Sequence, residues 1–90
     1  MARKQTSGPR DLRRIPGVGA DLAQHLREIG IGTIADLVGQ DAETLYTRAC
    51  QARGAALDRC VLYVFREAVY FAEHAAPDPE KLRWWYWKDP

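Results

Sequence analysis

The stretch Leu12-Arg13-Arg14-Ile15-Pro16-Gly17-Val18-Gly19-Ala20-Asp21-Leu22-Ala23-Gln24-His25-Leu26 decides how this 90-residue chain is read. Two glycines one residue apart permit a tight turn whose backbone N–H groups face outward with no Cβ in the way. Pro16 drives Ile15 towards an extended conformation, so the segment before it is a short helix that stops there. Val18, between the glycines, points inward and anchors the turn. Ala23, four residues after Gly19, is small where two helices cross closely. The helix entered at Gly19 places Leu22, Leu26 and Ile29 at i, i+4 and i+7 and ends at Gly30. Its entrance gathers unpaired N–H groups and the positive end of the helix dipole, which together favour an anion, typically a phosphate.

This pattern resembles a helix-hairpin-helix motif, which in its families binds the DNA backbone without reading sequence. The resemblance implies that the amides of Gly17, Val18 and Gly19 hold a phosphate, helped by Arg13 and Arg14 one turn earlier. Ala20 and Asp21 depart from the Lys or Arg usual at those places, and Asp21 competes for the same dipole. Residues 29–37, Ile-Gly-Ile-Gly-Thr-Ile-Ala-Asp-Leu, look like a second, degenerate hairpin without the Pro-Gly start; a plain inter-helix connection is the other reading.

Working outward, the whole chain reads as helical, with no segment alternating long enough for a strand. A first helix is expected to begin near Pro9, with Ser7 or Gly8 at its cap. Thr33 and Asp36 form a capping box with Asp in place of Glu, opening a brief helix over residues 34–38 that Gly39 closes. Asp41 caps a further helix with Glu43 in its first turn, and Gly54 stops it. The longest helix is expected over residues 56–75, where Leu57, Val61, Val64, Ala68, Phe71 and Ala75 repeat in steps of four and three. Its opposite face is assigned Arg59, Tyr63, Arg66, Glu67, Tyr70 and His74, with Arg59 paired to Asp58 and Arg66 to Glu67. Asp78-Pro79-Glu80 begins a last short helix carrying Trp84, Trp85, Tyr86 and Trp87.

The expected fold is therefore all-α: five to six helices in a SAM-like helix-hairpin-helix domain, with a long C-terminal core helix and a Trp-rich tail. Residues 1–8 form a basic flexible tail and residues 9–90 the domain. Within it, residues 9–39 are tandem hairpins, 41–76 the helical core and 77–90 the aromatic tail. The tail is expected to fold back on the long helix, burying Trp85 and at least one other tryptophan; stacking on unpaired bases and a dimer or partner surface are the alternatives.

Charge and composition narrow the function classes. The net charge is only +1, which excludes strong global attraction to nucleic acid. Residues 1–14, however, hold five basic and one acidic side chain, a net of +4, and the remainder eight and eleven, a net of −3. The longest uncharged apolar run, residues 60–65, is far below the roughly 20 residues of a membrane span, so no membrane partner is expected. The first residues run into Thr, Ser, Gly and Pro instead of an apolar stretch, so no signal peptide is expected, and with two cysteines the expected location is cytoplasmic. Cys50 and Cys60 read as buried thiols, His25 and His74 as surface residues. No nucleophile–base pair, phosphate-loop lysine or metal-ligand spacing is present, so no catalytic residue, metal or cofactor is expected, and the protein is read as a non-enzyme.

The C-terminal half carries a wider resemblance. Gly39-Gln40-Asp41, Leu45-Tyr46, the run Leu57-Asp58-Arg59-Cys60-Val61-Leu62-Tyr63-Val64-Phe65-Arg66, Ala68-Val69-Tyr70-Phe71-Ala72, Pro77-Asp78-Pro79 and Leu82-Arg83-Trp84-Trp85-Tyr86-Trp87-Lys88-Asp89 are similar to the small bacterial "pathogenicity locus" proteins. These are also labelled helix-hairpin-helix or mitomycin-resistance proteins. The resemblance implies a DNA-related role and supplies no catalytic residues. The leading expectation is a non-sequence-specific DNA-binding or DNA-repair accessory module on the phosphate backbone. The alternative is a protein-interaction or scaffold domain whose hairpin only packs and whose aromatic surface docks a partner or a second copy.

Overall fold

A computed structural model describes residues 11–89, so the basic tail over 1–8 and the helix start expected near Pro9 lie outside the described residues. The chain is all-helical there. Three α-helices, α1 (Ala20–Glu28), α2 (Ala42–Arg53) and α3 (Arg59–Glu73), are joined by four 3-10 turns at Leu12–Arg14, Ala35–Leu37, Pro79–Leu82 and Trp84–Trp87. This corrects the expectation of five to six helices. The missing ones are single 3-10 turns, too short to recover the cost of a helical nucleus. Ile15 is extended at ψ 124° before Pro16, and Val38 is extended at ψ 127° before Gly39, so neither turn can lengthen.

The caps expected at Thr33, Asp41 and Gly54 are present. Thr33 and Asp36 exchange bonds as a capping box: Asp36 N–H donates to Thr33 Oγ1 at 3.1 Å and Thr33 N–H to Asp36 Oδ2 at 3.1 Å. Asp41 accepts from Thr44 N–H at 2.9 Å, and this bond holds its carboxyl below the ordinary range. Gly54 ends α2 in the left-handed region at φ 68°. Helix α3 is shorter than expected at both ends. Asp58 takes the N-cap role by accepting from Cys60 N–H at 2.9 Å, and His74 is already extended.

The core gathers around α3. Val61, Val64, Phe65 and Ala68 are buried on it, against Leu12, Ile15, Val18, Ala23, Leu26, Leu37, Leu45 and Ala49 from the segments ahead. Each fully buried Leu or Phe contributes roughly 1.5–3 kcal/mol. Side chains also tie carbonyl ends across helices: Arg48 of α2 donates to the Ile29 carbonyl behind α1, and Arg53 pairs with Glu28 at 2.7 Å. No helix of the described residues is long and apolar enough to cross a membrane.

Candidate functional site

The turn at residues 16–19 connects the first 3-10 turn to α1. Val18 N–H donates to the Ile15 carbonyl at 3.0 Å, so this amide closes the turn while the Val18 side chain is buried beneath it. Gly17 sits at φ +87°, a region that L side chains rarely adopt. Gly19 is the N-cap of α1 with ordinary extended backbone, and a Cβ there would meet nothing within 4 Å. Its bareness therefore serves no packing need. It leaves the first amides of α1 with no side-chain cap. Pro16, Gly17, Gly19, Ala20 and Asp21 are all exposed.

Arg13 and Arg14 stand exposed beside this turn. Arg14 Nη1 pairs with Asp11 Oδ1 at 3.2 Å while remaining 69% exposed, a surface pair worth little and easily exchanged. The other oxygen of Asp11 accepts the Ile34 N–H at 2.7 Å and so ties the first turn to the 30s segment.

Directly under the turn lies a residue that sequence reading placed on the wrong face. Glu67 is 0% exposed, and neither carboxyl oxygen has a hydrogen-bond partner. A Cβ on Gly17 would stand 2.8 Å from Glu67 Oε1. Burial raises this carboxyl from 4.5 to about 8, so at neutral pH it is mostly protonated. The signal was present on the helix wheel: Val64 lies three residues before Glu67 and Phe71 four after it, which sets Glu67 beside the apolar stripe.

The expected pairings on α3 are also corrected. Arg59 and Arg66 do not pair with Asp58 and Glu67 but meet at Asp89, near the end of the chain. Asp89 accepts from Arg59, from Arg66 Nη1 at 3.0 Å and from Tyr63 Oη at 3.1 Å. The Arg59 bond is the largest influence holding the Asp89 carboxyl down at about 2. Arg66 also donates to the Trp87 carbonyl at 2.7 Å and to Glu43 of α2 at 2.8 Å. These arginines are structural, and they fold the tail back onto α3.

The tail packs with a different pair of tryptophans than expected. Trp84 lies parallel to Tyr63 at 6.5 Å, and Trp87 meets Tyr70 at 5.6 Å with its Nε1–H on the Lys81 carbonyl at 2.8 Å. Trp85, expected inside, is 52% exposed, as is Tyr86, and Arg83 lies 5.9 Å from the Trp85 ring. Between the tail and α3 runs an open groove of about 580 Å³ lined by Val69, Tyr70, His74, Tyr86 and Trp87. Cys50 and Cys60 are half-buried, and burial pushes the Cys60 thiol up. Among the described residues, no group of three or more His, Cys, Asp or Glu could hold a metal ion.

Asp89→Asn is expected to loosen the tail, because two arginines and a tyrosine lose the charge and one of the two acceptor oxygens they share. Tryptophan emission should shift to the red while the helical signal of α1–α3 persists. In the parent chain the Asp89 contribution is fully present above the ordinary Asp range and is lost only as pH falls through about 2. An emission spectrum unchanged by the substitution would show that the ring contacts hold the tail without it.

These features define a small all-helical domain with an uncapped glycine turn at a helix N-terminus and an aromatic tail clasped to its central helix. The chain belongs to the pathogenicity locus family, Cdd1, which matches residues 5–90. It is 36% identical over 77 residues to the mitomycin resistance protein McrB of Streptomyces lavendulae, a match covering 86% of this chain and 70% of that one. No solved structure matches the chain significantly.

Proposed function

We propose that the protein is a non-sequence-specific DNA-binding, DNA-repair accessory module that grips the phosphate backbone through a helix-hairpin-helix of the SAM-like kind. The observation that carries this reading is the exposed turn at residues 16–19, which leads into a helix N-terminus that no side chain caps and is flanked by two exposed arginines. Gly17 and Gly19 supply the approach to the phosphate, Val18 anchors the turn, and Arg13 and Arg14 add the charge that Ala20 and Asp21 withhold. Mitomycin resistance is the setting suggested by the name of the Streptomyces relative.

The affinity expected for so few contacts is near the non-specific range of roughly 10⁻⁴ to 10⁻⁶ M. Titration of labelled duplex, branched and single-stranded DNA at two salt concentrations tests the reading. With two to four phosphates engaged, log K should fall with log salt at a slope of roughly −2 to −4. The double variant Arg13→Glu with Arg14→Glu should lose binding altogether and keep its fold, because both side chains are exposed. Binding that survives this reversal removes the arginines from the site.

The exposure of Trp85 and Tyr86 favours a second reading, in which the aromatic surface docks a protein partner or a second copy of the chain. Sedimentation of the parent and of Trp85→Ala with Tyr86→Ala distinguishes self-association from a monomer.

A further inference from the structure

We propose that Glu67 is the positioning residue of the turn: it underlies Gly17 without a partner, and backbone binding is strong only while its carboxyl is neutral. The inference rests on the phosphate-binding reading above and adds a proton dependence to it.

Three geometric facts carry it. Glu67 is fully buried, its two oxygens have no partner, and Oε1 occupies the space that a side chain on Gly17 would need. The turn facing it supplies Pro16, Gly17 and Val18, none of them titratable. Arg13 and Arg14, the cations of that element, are exposed to solvent. Burial is the cause of its raised proton affinity, and neither oxygen is bonded to a side chain of α1, α2 or α3.

A phosphate held above Gly17 would therefore have the buried carboxyl on the other side of that residue's backbone. Two anions so placed repel strongly in a medium of low effective dielectric, whereas a neutral carboxyl leaves the phosphate undisturbed. Linkage makes the effect reciprocal: bound phosphate raises the proton affinity of Glu67, and loss of the proton weakens phosphate binding. Burial sets the titration at about 8, close to neutrality, where a modest change of pH alters the population.

The test measures the affinity of the full chain for a short labelled DNA duplex from about pH 6 to about pH 9 at fixed ionic strength, for the parent and for Glu67→Gln. The parent should weaken on the order of tenfold across that range, and the variant should give a flat profile. The Gly17 amide resonance of the parent, followed without DNA, should move over the same interval.

Equal pH dependence in the two chains, with DNA still bound, overturns the proposal and leaves backbone binding standing. Absence of binding by either chain at every pH overturns backbone binding itself, and the proposal with it. Should Glu67→Gln fail to fold, the Gly17 resonance decides. A signal that does not move over the interval overturns the proposal.

Discussion

Gly17→Val is expected to destabilise the domain by about 3 kcal/mol or more, a large part of the roughly 5–15 kcal/mol that holds a native protein together. Two independent effects add at this position. The backbone sits at φ +87°, where a β-branched residue is a strong outlier, and such strain costs about 1–3 kcal/mol. A Cβ would also stand 2.8 Å from Glu67 Oε1, and that side chain is buried with little room to retreat. Overpacking of this kind adds about 1–3 kcal/mol. Gly19→Ala is the internal control. It has ordinary φ and open space, so its cost should stay within about 1 kcal/mol, most of it from replacing Gly at an N-cap. Urea unfolding of the two variants beside the parent measures both, and equal losses would show that neither the backbone strain nor the contact with Glu67 carries energy.

The second large effect is a pH dependence that runs opposite to that of most acidic residues. The folded-state pKa of Glu67 is raised from 4.5 to about 8, so the folded state binds its proton more tightly than the unfolded chain. Stability from this group is fully present below about pH 4.5 and is lost progressively as pH rises through about 8. Allowing for some opening to water at the ionised site, the loss is on the order of 2–4 kcal/mol. Glu67→Gln keeps the shape and removes the titration. It should therefore melt roughly 10 °C above the parent near pH 8 and close to it near pH 5.

Other shifted groups leave that interval clear. Asp41, Asp58 and Asp89 are shifted down, and the Cys60 thiol is pushed up from 9.0. Thermal melts of both chains at the two pH values give the result, and parallel curves would remove Glu67 as the cause.

The turn and the caps were legible because they are local. Pro16, Gly17 and Val18 specify a turn with one residue pointing in, and Asp41 and Asp78 each bond an amide two or three residues ahead. The stripe Val61, Val64, Phe65 and Ala68 likewise announced its own burial. Helix number was less legible. A capped four-residue pattern such as that around Thr33 reads the same whether the segment extends into an α-helix or stops after one turn. The tail misled for a related reason, since aromatic content shows that burial is needed without showing which ring receives it.

Sequence alone determined the all-helical class, the glycine turn and the apolar face of α3, since each depends on backbone preference or on a period within one segment. Tertiary structure decided what stands beneath the turn and what clasps the tail. Glu67 is separated from Gly17 by 50 positions, and Asp89 from Arg59 by 30. No local preference links such residues. Only the packing of α3 against the turn, and of the tail against α3, removes one carboxyl from water and gives the other its arginines.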